Sequence, residues 1–139
     1  MKNVWEILED FKNAPPQLKE QVLAENGTPL FKTVLQGAYR PDIQFVIKEL
    51  PPYIKSDAPP GLGYTTIAQE MHRIYLFVEG SKKADPNLSL ERKRAILIQM
   101  LEAMEPKEAE VFANMITKDL KVPGLTPELI NKVFPGLLT

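Results

Sequence analysis

No cysteine occurs among the 139 residues, which excludes disulfides, thiolate metal sites and cysteine nucleophiles and fits an intracellular setting. Histidine is reduced to His72; a metal site built on it needs partners at matched spacing, and the His-Glu-x-x-His pattern is absent. It reads as a half-buried structural side chain. The three serines (Ser56, Ser81, Ser89) all fall in expected loops or caps, which leaves a serine–histidine–acid triad without support. No apolar run approaches the roughly 18 residues of a membrane span. The opening Met1-Lys2-Asn3-Val4-Trp5-Glu6 is amphipathic and soon acidic, unlike a secretory signal, so the cytoplasm is the expected location. An excess of either charge is also missing, since 17 basic residues against 18 acidic give a net charge of -1. A dedicated nucleic-acid binder usually carries a basic excess, so any DNA contact here has to come from a local patch.

What is present suits one ordinary helical domain over residues 1–139, with 44% hydrophobic residues for a core and 25% charged residues for solubility. Val4, Ile7, Leu8 and Phe11 recur at helical spacing until Ala14-Pro15-Pro16. Leu18, Val22 and Leu23 line a second helix, with Gly27 after Asn26 expected as a left-handed cap. Thr28-Pro29 opens a third that carries Phe31, Val34, Leu35 and Ala38 and ends before Pro41. Ile43–Leu50 fits helix or strand, and Pro51-Pro52 stops it either way. Pro51 to Gly63, with four prolines and two glycines, is the main loop.

Beyond it, Thr65-Thr66 caps a helix with a core face of Ile67, Met71, Ile74, Tyr75 and Val78. Gly80–Pro86 is a charged loop, Ser89 starts a long helix through Ile96, Leu97, Met100, Leu101 and Met104, and Glu105-Pro106 restarts the chain with Phe112, Met115, Ile116 and Leu120. The sum is an all-α compact bundle of six to eight short helices.

Few features carry chemistry. Gly61-Leu62-Gly63-Tyr64-Thr65-Thr66 is a glycine turn into a helix start whose two hydroxyls could reach a phosphate; plain capping is the simpler reading. Lys82, Lys83, Arg92, Lys93 and Arg94, offset by Asp85 and Glu91, form a basic concentration of net +3. It suits a duplex backbone or a solvated surface equally. Glu102, Glu105, Glu108 and Glu110 against Lys107 form an acidic counterpart expected to face away from DNA. The last stretch, Leu120–Thr139, reads as a helix end, a tight turn at Gly124, a helix capped by Thr126 before Pro127, and an apolar Phe134-Pro135-Gly136-Leu137-Leu138 tail. A turn followed by a fresh helix start offers amides to an anion such as a DNA phosphate.

Several of these stretches resemble, in the same order, the N-terminal DNA-binding domain of T-even-phage ATP-dependent DNA ligases. They are Leu30–Leu35, Ile43–Pro51, Glu108–Phe112 with Met115–Leu120, and Asn131-Lys132-Val133-Phe134-Pro135-Gly136-Leu137, which is close to that family's Asn-Lys-Val-Trp-Pro-Gly-Leu ending. The resemblance implies a non-catalytic helical module, from a T4-like phage and so in the host cytoplasm, that grips duplex or nicked DNA through its sugar-phosphate backbone in replication or repair. It implies no cofactor or metal, and matching positions place Lys118, Lys121 and Thr126 near phosphate with Gly124 allowing close approach. Lys32 and Lys48 lie in the other matching segments, and the basic loop adds Lys82 and Lys83. The family's second lysine of a Lys-Lys pair is Glu49 here, Pro123 interrupts the turn, and the family's catalytic motifs are missing. Lys55-Ser56-Asp57-Ala58 has alanine where the ligase adenylation motif needs glycine, and reads as a chance match. The alternative is a protein-interaction adaptor for a phage replication or transcription component such as a sliding clamp, with Phe134–Leu138 as anchor unless that tail packs back on the bundle.

Overall fold

The first helix, α1 (Val4–Asn13), starts at a capping box in which Glu6 reaches back to the Asn3 amide at 3.1 Å. Its stripe of Val4, Ile7, Leu8 and Phe11 is buried, and the prolines that follow end it. This is the structure of a computed structural model, which describes residues 3–55, 57, 65–81 and 86–138. A 3-10 turn at Pro16–Leu18 leads into α2 (Lys19–Glu25). There Leu23 is buried, whereas Leu18 is 44% exposed because it belongs to the turn and not to the helix face. Gly27 is not the left-handed cap expected of it: the positive-φ glycines among the described residues are Gly80, Gly124 and Gly136. The Asn26 side chain caps α2 by donating to the Val22 carbonyl at 2.8 Å. Gly27 instead makes room for an aromatic ring, since a Cβ there would lie 2.8 Å from Phe134 Cε1.

Helix α3 (Pro29–Tyr39) begins as its sequence predicts, with Thr28 accepting from the Phe31 amide and proline at the first turn. The ambiguous Ile43–Leu50 run is neither helix nor full strand. It is an irregular segment with bends at Val46 and Glu49 that buries Phe45 and Ile47, half-buries Val46 and exposes Gln44 and Lys48. Two backbone bonds, Val46 N to Phe77 O at 2.7 Å and Glu79 N to Gln44 O at 2.8 Å, tie it to the chain around Val78. The Thr66-capped helix α4 (Ile67–Glu70) tightens into a 3-10 segment, Met71–Phe77. Tighter winding turns fully buried Phe77 toward the core and leaves His72 exposed, against the half-buried histidine expected. The longest helix, α5 (Leu90–Ala103), is capped by Ser89 and buries Leu97, Met100 and Leu101.

Helix α6 (Pro106–Ile116) is the centre of the bundle. Ala109, Val111, Phe112, Ala113, Met115 and Ile116 are all buried, and it packs on α1, α3, α4 and α5. Each large apolar side chain fully withdrawn from water stabilises the fold by about 1.5–3 kcal/mol. Close approach of α3 and α6 depends on Gly37, where a Cβ would sit 2.9 Å from the Met115 sulfur. Gly37→Val is therefore expected to cost about 2 kcal/mol through overpacking, read as a lower urea midpoint with an unchanged slope.

Two residues of the acidic run expected to face away from DNA are inside: Glu105 is 1% exposed and Glu108 4%. Glu105 is the N-cap of α6, accepting from the Glu108 amide at 2.6 Å and the Lys107 amide at 3.1 Å. Burial and then the neighbouring Glu105 charge raise the Glu108 pKa above the ordinary 4.5, with the Ile67 backbone as a smaller opposing influence. A carboxyl that titrates higher in the fold than in the unfolded chain favours the fold below 4.5. That contribution disappears as pH rises through the folded-state pKa. Glu108→Gln should thus melt several degrees higher than the parent at neutral pH. In thermal scans the gap should close as pH falls toward 4.5.

The last helix, α7 (Pro127–Val133), packs on α2, and its Ile130 is buried. The apolar tail folds back on the bundle: Leu138 is 5% exposed, and Gln36 donates to the Leu137 carbonyl at 3.1 Å. The bundle thus has seven α-helices and no named strand among the described residues. None of its helices, among the described residues, is long and apolar enough to cross a membrane.

Candidate nucleic-acid interface

Among the described residues expected near phosphate, not all face solvent. Lys118 turns inward, its ammonium donating to the carbonyls of Gly37 at 2.6 Å, Ile43 at 2.7 Å and Arg40 at 2.9 Å. An ammonium has three protons and all are used, so Lys118 is not offered to a phosphate. Burial, the leading effect, pulls its pKa below the ordinary lysine value. Lys32 is half-buried with its ammonium 5.1 Å from the Phe134 ring centre. Lys48 is exposed and pairs loosely with Glu79 at 3.5 Å. Lys82 and Lys83 lie outside the described residues, as does the Gly61–Tyr64 turn. The two threonines after that turn serve the fold: Thr65 donates to Glu70 at 2.7 Å and Thr66 caps α4. Lys55 is exposed, the opposite of the desolvated amine an adenylate acceptor requires.

The turn into α7 forms as the sequence predicts, with Gly124 at φ 84° and Thr126 accepting from the Leu129 amide at 3.2 Å. The helix start offers an anion little, however. Pro127 has no N–H, and the Leu129 and Ile130 amides are already given to Thr126. At most the Glu128 amide is left, beside that residue's own carboxylate.

Lys121 is different. It is exposed, and it stands at the rim of an open cleft of about 160 Å³ between α1 and α6. Lys12 from α1 and Lys107 from α6 line the same cleft, with Trp5 and Leu8 on the walls and Asn114 as a neutral polar group. The Lys107 ammonium sits 4.5 Å from the Trp5 ring centre, held by the indole face. The Trp5 indole N–H is buried with no hydrogen-bond partner among the described residues. Glu9 and Glu110 complete the rim, so three lysines face two glutamates. Neither Lys12 nor Lys107 stands out in the sequence: each sits among acidic neighbours, and only the packing of α1 on α6 joins them to Lys121.

Arg92, Lys93 and Arg94 occupy the first turns of α5, with Arg92 and Arg94 exposed. They lie apart from the cleft lining. The described residues hold no group of three or more His, Cys, Asp or Glu able to bind a metal ion.

No curated protein matches the chain in sequence. A protein-family profile does match, over residues 7–122. That span reaches from α1 through the cleft-rim residue Lys121 and stops before α7. On this match across most of its length, the chain belongs to DUF6433, a family of unknown function.

Proposed function

We propose that this protein is a non-catalytic DNA-binding module that holds duplex or nicked DNA through the sugar-phosphate backbone. The observation that carries the reading is the convergence of Lys12, Lys107 and Lys121, from three separate segments, on one open cleft in a chain of net charge -1. The likeness of Leu30–Leu35, Ile43–Pro51, Glu108–Leu120 and Asn131–Leu137 to the phage ligase domain supports it. Backbone contact gives position and affinity without base reading. Three lysines, partly offset by Glu9 and Glu110, suit modest affinity and phosphates brought close to the rim.

The test is anisotropy of a fluorescent nicked duplex beside an intact one of the same sequence. Three phosphate contacts give a slope of log K on log salt of about -2.7, so binding should weaken about 40-fold between about 50 and about 200 mM salt. Absence of binding at low salt would overturn the reading.

One observation favours a protein-interaction adaptor as the second reading. An almost wholly apolar recess of about 220 Å³, lined by Ile43, Phe45, Met71, Ile74 and Val78 beside α3, opens on the surface. Such a recess takes an apolar side chain of a partner better than it takes a phosphate. The folded-back tail is already engaged with the bundle and is not the anchor of that reading. An adaptor would bind its partner with little salt dependence and would ignore changes at Lys121.

A further inference from the structure

The turn that carries Lys121 is built from backbone conformations that ordinary side chains avoid. Lys118 has φ 68°, Lys121 φ 58° and Gly124 φ 84°. Glycine adopts the left-handed region freely, but a lysine there crowds its Cβ against the backbone. Such residues persist only where their surroundings over-determine them.

The surroundings here are specific. The Lys118 ammonium reaches the carbonyls of Gly37, Arg40 and Ile43, at and just past the end of α3. The terminal carbonyls of a helix lack partners within it and sit at the negative end of its dipole, where a cation is favoured. The Phe45 ring lies 5.5 Å from the same ammonium. Two further ties hold the turn: the Asp119 carboxylate accepts the Lys121 amide at 2.8 Å, and the Asp119 amide donates to the Asn114 carbonyl at 3.0 Å.

We infer that Lys118 is a positioning residue, a latch that fastens the 117–125 turn to the end of α3 and so sets Lys121 on the rim of the lysine cleft. The inference rests on the DNA-binding reading for its purpose, but the latch itself is testable without DNA. Its action is indirect: Lys118 touches no phosphate, and its loss disorganises the turn.

The experiment compares the parent with Lys118→Met and Lys121→Met, each by amide hydrogen exchange and by nicked-duplex anisotropy at several salt concentrations. Lys118→Met should speed exchange of the Asp119, Leu120 and Lys121 amides at least about tenfold. It should weaken DNA binding with the salt slope unchanged. Lys121→Met should leave exchange alone and make the slope shallower by about 1. Unchanged exchange in Lys118→Met, or a slope reduced as in Lys121→Met, would overturn the latch. If the parent binds no DNA, the exchange result still decides the latch and only the DNA-binding reading fails.

Should Lys118→Met not fold, the side-chain nitrogen resonances of the parent serve. The Lys118 ammonium protons should exchange slowly with water and stay unmoved by added nicked duplex while Lys121 shifts. Fast exchange, or a DNA-induced shift at Lys118, would contradict the assignment.

Discussion

Lys118→Met is expected to destabilise the fold by about 3 kcal/mol, because it removes the cation and leaves the Gly37 and Ile43 carbonyls without a donor, while the Arg40 carbonyl keeps the Ile43 amide at 3.2 Å. Methionine keeps most of the apolar stem of lysine without its terminal nitrogen, so the loss reports the ammonium and its bonds to Gly37, Arg40 and Ile43. Water reaching either the Gly37 or the Ile43 carbonyl once the cation is gone keeps the cost below two full burial penalties plus the lost charge-assisted bonds. Against a total stability of about 5–15 kcal/mol for a domain, this is a large fraction. Urea unfolding followed by far-UV circular dichroism checks it. A cost under about 1 kcal/mol would match an ordinary surface lysine and would contradict the inward geometry.

Reversing Lys12, Lys107 and Lys121 together to glutamate should weaken nicked-duplex binding by at least about a hundredfold, taking on the order of 1 kcal/mol per lysine. The rim would pass from three lysines and two glutamates to five glutamates. Lys12, Lys107 and Lys121 are exposed, and the structural contact most directly lost is Lys107 over the Trp5 ring. That contact is worth about 0.5–1 kcal/mol, so the triple variant should stay folded. Reversing Arg92, Lys93 and Arg94 instead should have a smaller effect, since these residues lie off the cleft lining. Anisotropy of both variants in one buffer separates the two surfaces. A larger loss from the α5 reversal would move the interface to that helix.

Helix starts were the most legible part of the fold, because their signals are local. Thr28-Pro29, Ser89, Glu105-Pro106 and Thr126-Pro127 each place a capping oxygen before the first turn, three of them with proline where no amide is needed. The buried stripe of α1, the large apolar positions of α3, and Phe112, Met115 and Ile116 of α6 followed from spacing, whereas buried Glu108, Ala109, Val111 and Ala113 did not. Ile43–Leu50 was ambiguous because its conformation is set by bonds to Phe77 and Glu79, far along the chain. The 3-10 winding of Met71–Phe77 moved the buried position to Phe77, which a 3.6-residue period does not select.

The site was harder to read for the same reason. Lys118 looks like a surface cation until α3 is packed against it, and Glu105 looks solvated until its cap contacts are drawn. Residue type suggests charge; only tertiary structure says whether the charge faces water. The cleft joins α1, α6 and the turn after it, so its three lysines carry no shared motif. Lys121 alone among them was singled out, through a resemblance and not through its spacing.

Trp5 is the sole tryptophan and lines the lysine cleft, which makes it a direct reporter of whether DNA enters that cleft. The most direct measurement follows Trp5 emission and labelled-duplex anisotropy in a single titration at low salt. The proposal predicts that both signals change together, with one midpoint, and that added salt reverses both. Anisotropy that saturates while Trp5 emission stays flat would place DNA elsewhere on the molecule, and no change in either signal would contradict DNA binding itself.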